Sequence, residues 1–254
     1  MRALITNDDG IDSGGLRTLV RTAVACGLEA TVAAPDGERS GSSASLSALE
    51  SQGRLLIEER VLDGVPGMTA LSVHASPALI VFVGVRGAFG PAPDVVLAGI
   101  NHGPNTGQAV LHSGTVGAAL TAVTHDLPAL AVSCAAAQPV HWKSPALVAG
   151  RAIAWLLAYR GPPFVLNVNV PDLPPGRLRG VRPAALASFG AVQARIGERG
   201  RGYLTTTFSE TSEEAGPGSD VALLRQGWAT ITALEGPTGS EAVDLTQLAW
   251  DTGA

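Results

Sequence analysis

Residues 3–10 read Ala3-Leu4-Ile5-Thr6-Asn7-Asp8-Asp9-Gly10. A short apolar run ends on two adjacent acids and a glycine, and Ser13-Gly14-Gly15 follows. The pattern predicts a first buried strand whose carboxyl end runs through a loop into a helix. Two carboxylates about 4 Å apart repel by roughly 1 kcal/mol in water and about 4 kcal/mol at an effective dielectric of 20. Such a pair calls for a cation, a shared proton or full exposure to water. Taken alone, the stretch fits an Asp-Gly turn with solvated acids equally well.

Working outward, apolar and turn-forming segments alternate. Leu16, Leu19, Val20, Ala23 and Val24 fall at helical spacing between a Ser13 cap and a Gly27 stop. Glu29–Ala34 reads as a second strand, followed by the polar stretch Pro35–Ser43. Arg54–Glu58 and Met68–Val73 read as a hairpin. Ser76-Pro77 opens an apolar helix to Val85. Asp94–Ala98 is a strand leading into a Gly- and Asn-rich loop, Gly99–Gly107. A helix follows Ser113; Ala129–Val132, Pro145–Tyr159 and Phe164–Val168 continue as strand, helix and strand.

Alternating strands and helices predict a mostly parallel sheet covered on both faces. Ligands bind such sheets outside the carboxyl ends of the strands. Three of those ends carry oxygen ligands: Asp8-Asp9, Ser40 and Asn101. Neighbouring strands lie about 4.8 Å apart, so their loops can meet at one cation. Carboxylate, hydroxyl and amide oxygens suit Mg2+ or Mn2+, with Ca2+ as an alternative, and not Zn2+.

Beyond Pro171 the texture changes. Residues 172–218 are rich in Gly, Pro, Arg and Glu, with weak alternation over 202–208, and read as an arm or hairpin. Val221–Gln226 and Ala229–Leu234 return to ordered structure. Leu245, Leu248 and Trp250 suit a short helix docking on another surface. The expected division is an α/β core over 1–171 and a C-terminal extension over 172–254.

The length, 254 residues, suits one large α/β domain with an appended segment, and 46% hydrophobic residues suffice for a sizeable core. No apolar run reaches the roughly 18 residues of a membrane span, and the apolar run at residues 3–6 is too short for a signal peptide. A cytoplasmic protein is expected. The net charge of −5 argues against a nucleic-acid duplex as partner. Cys26 and Cys134 lack partners at metal-ligand spacing and are expected as buried thiols. No P-loop, dinucleotide fingerprint, Gly-x-Ser-x-Gly elbow or His-Glu-x-x-His motif is present.

Asn7-Asp8-Asp9-Gly10, Ala34-Pro35-Asp36 with Ser40-Gly41, Gly99-Ile100-Asn101-x-Gly103-x-Asn105-x-Gly107, Ser113–Ala119 and Leu166–Pro171 together resemble the stationary-phase survival protein SurE family. The resemblance runs in order to about residue 171 and continues weakly through Ser219-Asp220 and Gly227–Leu234. It implies a Rossmann-like three-layer α/β core with a C-terminal arm reaching a partner subunit in a homodimer or homotetramer. It also implies a metal-dependent phosphatase acting on nucleoside 5'- or 3'-monophosphates. Asp8, Asp9, Ser40 and Asn101 match the family's metal ligands, one cation per subunit, and Asn7, Asp8 and Asp9 form the expected catalytic set.

The expected chemistry is in-line attack by an activated water that Asp8 or Asp9 orients or deprotonates. Asn105, Ser113, Gly114 and Thr115 would cradle the phosphate at a helix amino end, with Gly41 and His112 beside them. For Ser113 and Thr115 plain helix capping is the alternative, and His102 and His112 read as pocket wall. The chain departs from the family pattern at Ala75 and Leu79, at Ala44 where Asn is usual, at Thr121 where Glu is usual, and at His112 where Tyr is frequent. These departures bear on substrate choice. They leave open a phosphomonoesterase for a non-nucleotide substrate, or a metal- or nucleotide-binding protein with little turnover.

Overall fold

The computed structural model describes residues 1–48, 50–51, 54–65, 67–189, 192–210 and 215–238. Strands β1 (Arg2–Thr6), β2 (Glu29–Pro35), β3 (Glu50–Ser51), β4 (Arg54–Leu55), β5 (Ile57–Val61) and β6 (Thr69–Val73) are followed by β7 (Val95–His102), β8 (Ala129–Ala135) and β9 (Val165–Pro171). The C-terminal part adds β10 (Val181–Pro183), β11 (Val192–Gly200), β12 (Tyr203–Glu210) and β13 (Ala229–Leu234). Helices are α1 (Gly14–Ala25), α2 (Pro77–Gly84), α3 (Gly114–Val123), α4 (Lys143–Ala158) and α5 (Asp220–Arg225), with a 3-10 turn over Gly107–His112.

Nine strands form one sheet in the order β10-β13-β9-β8-β7-β1-β2-β6-β5. β1 pairs in parallel with β2 on one side and with β7 on the other. The chain therefore leaves β1 in one direction and returns in the other, which opens a crevice at the carboxyl ends of β1 and β7. Successive strand residues face opposite ways. Ala3 and Ile5 pack with α1 and α4, and Leu4 packs with α2 and α3. The result is a three-layer α/β fold. Among the described residues no helix is long and apolar enough to cross a membrane.

The helix starts follow from their caps. Ser13, Ser76, Ser113 and Ser219 each accept a backbone N–H of the first turn. α4 begins two residues before the expected Pro145, since a first-turn N–H has no helical partner to lose. The expected hairpin forms, but its first strand, β5, runs Ile57–Val61 in place of the expected Arg54–Glu58. Arg54–Leu55 pairs instead with Glu50–Ser51. Every residue of β5 is exposed, so no inward face fixes the pairing. β7 extends past Ala98 to His102, with a shift against β8 between Ala98 and Asn101.

C-terminal to β9, β13 inserts antiparallel to β9 and carries β10 on its far edge. β11 and β12 form a separate antiparallel hairpin within the expected arm. The apolar tail at Leu245–Trp250 lies outside the described residues.

Candidate active site

The site is built on the turn after β1, which stops at Thr6, short of both acids. Asn7 is fully buried and donates its amide to Gly10 O at 3.0 Å and to Ser13 Oγ at 2.7 Å. Ser13 in turn caps α1. Asn7 thus ties strand, turn and helix together. Gly10 has φ +98°, and a methyl group there would lie 3.0 Å from the Gly37 backbone. The turn is therefore pressed against the 36–43 loop, and the two acids leave extended geometry.

Asp8 is 3% exposed and points at the amino end of α3. Thr115 donates its hydroxyl to Asp8 Oδ1. A methyl group at Gly114 would lie 2.8 Å from Asp8 Oδ2 and 2.6 Å from Ser42 Oγ. Burial pushes the Asp8 pKa up, against the Thr115 hydroxyl and the backbone N–H groups of Gly114 and Thr115. The backbone of Arg39 donates to Asp8 O at 2.7 Å, fastening the second polar loop here.

Asp9 accepts the His102 backbone N–H at 3.2 Å. The His102 ring Nδ1 stands 3.7 Å from Asp9 Oδ1. Burial first, then the negative charge of Asp8, pushes Asp9 up to about 7. Burial also lowers the His102 pKa. The Trp142 ring, at the start of α4, packs on His102 with centroids 5.5 Å apart.

Asn101 is buried and directs its amide nitrogen to His102 O and Gly103 O, at 3.1 and 2.7 Å. Its carbonyl oxygen is the atom that could meet a cation. Ser40 is exposed, and its hydroxyl donates to Glu38 Oε1 at 2.8 Å, which leaves its oxygen lone pairs open to a cation. Gly41 (φ +74°) and His112 are exposed.

Asn105 is clamped on several sides. Its N–H donates to Asn169 Oδ1 at 2.7 Å and its Nδ2 to Ser133 Oγ at 2.9 Å. Its carbonyl accepts from Asn167 and Asn169, both at 2.9 Å. Of its donors, the second Nδ2 hydrogen remains to meet a ligand. Ser113 caps α3, and the first-turn donors of α3 act on Asp8, so these residues shape the acid site directly.

Sequence reasoning did not single out Ser42, whose Oγ is buried beside Asp8 and Gly114 with no hydrogen-bond partner among the described residues. It also missed Asn167, Asn169 and Ser133 as the clamp on Asn105. Two asparagines alternating in an otherwise apolar strand were the available signal for that clamp.

Among the described residues no cluster of three or more His, Cys, Asp or Glu side chains is placed to hold a metal. A cation here depends on amide and hydroxyl oxygens beside the two acids. The residues fit one: adjacent carboxylates are held out of water, and the charges acting on Asp9 are the negative ones of Asp8 and Glu38. A hard divalent ion relieves that repulsion and matches the oxygen set.

A family model described as Survival protein SurE matches residues 3–192. A Methylococcus capsulatus protein named 5'-nucleotidase SurE is 37% identical over 254 residues, covering 97% of this chain and 93% of its own. The 5'/3'-nucleotidase SurE of Serratia proteamaculans is 36% identical, covering 98% and 93%. The crystal structure of the SurE protein from Aquifex aeolicus superposes with a TM-score of 0.76 at 26% identity, covering 92% of this chain and 93% of that one. With matching motifs, fold and relatives across nearly its whole length, the chain belongs to the survival protein SurE family.

Proposed function

We propose that this chain is a 5'-nucleotidase, hydrolysing nucleoside monophosphates to nucleoside and phosphate with a divalent metal. The observation that carries the proposal is the adjacent Asp8–Asp9 pair at the switch point of the sheet, Asp8 buried against the amino end of α3 and Asp9 set against the His102 N–H. Asp8, Asp9, Asn101 and Ser40 would hold Mg2+ or Mn2+. When bound, such an ion neutralises phosphate charge and lowers the pKa of a coordinated water.

The chain's own residues do the rest. α3 holds Asp8 in place through Thr115. Asp9 accepts or orients the proton of the attacking water from its place against the His102 N–H. Asn7 keeps both acids out of strand geometry. Asn105 and the unpartnered Ser42 hydroxyl meet the phosphate, with Gly41, Ser113, Gly114 and His112 lining the substrate side.

The test is phosphate release from a panel of nucleoside 5'- and 3'-monophosphates and sugar phosphates with Mg2+ or Mn2+, with Asp8→Asn as control. Release from nucleotides, lost in Asp8→Asn, is expected. Unchanged activity in Asp8→Asn sinks the assignment. Release from sugar phosphates alone points to a different phosphomonoesterase, a reading that Leu79, Ala44 and Thr121 would accommodate. Metal binding without release points to a binding protein.

The extension over 172–254 is proposed to pair subunits into a homodimer or homotetramer of a cytoplasmic enzyme. The observation behind it is the β11–β12 hairpin, which pairs only with itself in the described sheets. Deleting residues 239–254 should lower the number of subunits per particle in solution; a monomer in both forms, or the same oligomer in both, refutes the pairing role of the tail.

A further inference from the structure

Asp220, the first residue of α5, is fully buried, and the reaction chemistry gives it no part. Its Oδ2 accepts the Gly107 N–H at 2.7 Å. Its Oδ1 accepts the N–H groups of Ala187 at 3.0 Å and of its own neighbour Val221 at 2.8 Å. One carboxylate therefore joins three segments: the start of the 3-10 turn, the approach to the β11–β12 hairpin, and α5.

The fit at Gly107 is close. It has φ +54°, and a methyl group there would lie 1.8 Å from Phe189 O and 2.9 Å from Ala187 O. The 187–189 backbone thus rests on Gly107, and Asp220 closes the contact. Two residues before Gly107 stands Asn105. The 3-10 turn then runs to Ser113, and Ser43 Oγ donates to Leu111 O at 2.7 Å. The segment 105–113 is thereby pinned by Asn167 and Asn169 at one end, by Asp220 beside them, and by the 40–43 loop further along. The carboxylates Asp8 and Asp9 and the amide of Asn101 sit instead at the ends of β1 and β7, where the sheet holds them.

We infer that Asp220 is a positioning residue: its carboxylate sets the substrate-facing segment 105–113 against the acid pair and couples that segment to the base of the hairpin arm. The inference rests on the proposed nucleotidase reading. A carboxylate offers acceptor sites on both oxygens, and here both are used by backbone N–H groups. An asparagine presents an NH2 to one of those donors, and a donor facing a buried donor displaces the backbone.

The experiment compares the wild-type chain with Asp220→Asn, each loaded with Mn2+. The nucleoside monophosphate KM is expected to rise about tenfold, the equivalent of one lost buried hydrogen bond. The kcat should hold within about threefold and the Mn2+ affinity should be unchanged, because Asp8, Asp9 and Asn101 are held by the ends of β1 and β7. Hydrogen exchange should quicken at residues 104–113 and 187–189 and stay as it was over β1 and β7. An unchanged KM, a parallel fall in Mn2+ affinity, or exchange raised across the whole sheet overturns the inference. If Asp220→Asn does not fold, Asp220→Glu, whose longer stem moves both acceptors off the three backbone donors, carries the same measurements, and wild-type KM and exchange at 104–113 in it overturn the inference too. If the wild type releases no phosphate from any nucleotide, the functional reading fails on its own account. The affinity of the Mn2+-loaded protein for inorganic phosphate then replaces KM, and equal affinities in wild type and variant overturn the inference.

Discussion

The hydroxyl of Thr115 donates to Asp8 Oδ1 across 107 residues of chain, from the first turn of α3 to the turn after β1. Both residues are buried. Burial raises the Asp8 pKa, and the largest opposing influence is this hydroxyl. α3 thus does for the metal-free acid part of what a cation would do: it supplies positive partial charge where water is excluded.

Thr115→Val keeps the branched shape and removes the donor. The fold should lose about 1–3 kcal/mol, the range for a buried hydrogen bond to a charged group. Mn2+ affinity and phosphate release should both fall, and Thr115→Ser should restore them. Denaturant titration of the metal-free proteins, with calorimetry of Mn2+ binding, checks both halves. Wild-type values in Thr115→Val would mean that the contact is idle.

Asp9 predicts a proton linkage. Burial, with the charge of Asp8, pushes its folded pKa up to about 7 from the ordinary 3.8. A raised acid pKa means that the folded chain holds the proton more tightly than the unfolded one. The associated stability is full below about pH 4 and is lost as pH rises through 7. A cation requires the ionised form, so its affinity should climb from pH 5 to 7 and level off above. Calorimetry in buffers of differing ionisation enthalpy should show proton release on Mn2+ binding at pH 6 and almost none at pH 8. Equal release at both would remove Asp9 as the linked group.

Much of this site was legible in the sequence because chemistry and strand ends coincide. Asp8-Asp9 and Asn101 each follow an apolar run, and parallel sheets gather such ends into one crevice. Side-chain direction was not legible. Ser40 lies on the expected loop but donates to Glu38, and the donors at Ser113–Thr115 serve α3 and Asp8. Nor was Asp220, since 113 residues separate it from Gly107 and no periodic pattern records such a contact. The bounds of β5 escaped for a simpler reason: an all-exposed strand carries no alternation to read.

Gly114 should be the glycine that the site cannot spare. In a helix, Gly→Ala ordinarily stabilises by up to about 1 kcal/mol. Gly150→Ala in α4 should behave so, since its new methyl would meet Thr22 Cγ2 at 3.5 Å, an ordinary contact. Gly114→Ala would place a methyl 2.6 Å from Ser42 Oγ and 2.8 Å from Asp8 Oδ2. Moving Asp8 by about 1 Å should cost about a hundredfold in kcat/KM. Assays of both variants beside their melting temperatures decide the point. A fully active Gly114→Ala would show that Asp8 tolerates displacement.

Asp172 closes β9 and holds the chain entering α4. It accepts the backbone N–H of His141 at 2.8 Å and of Val140 at 3.2 Å, and its Oδ1 also lies 3.2 Å from His141 Nδ1. Partial burial raises its pKa, yet these donors prevail and hold it below the usual carboxylate value. A depressed acid pKa contributes stability above the unfolded value, and that stability is lost as pH falls through the folded one. Asp172→Asn should therefore cost about 1–2 kcal/mol at neutral pH, and the gap to wild type should close below about pH 4. The consequence reaches the site. Val140 and His141 lead directly into Trp142, whose ring packs on His102, and the His102 N–H holds Asp9. Loosening the 140–142 segment should thus weaken Mn2+ binding as well as the fold. Urea titrations from pH 8 to 3, paired with Mn2+ calorimetry at pH 7.5, test the chain of contacts, and an unchanged Mn2+ affinity in a measurably destabilised Asp172→Asn would break it at Trp142.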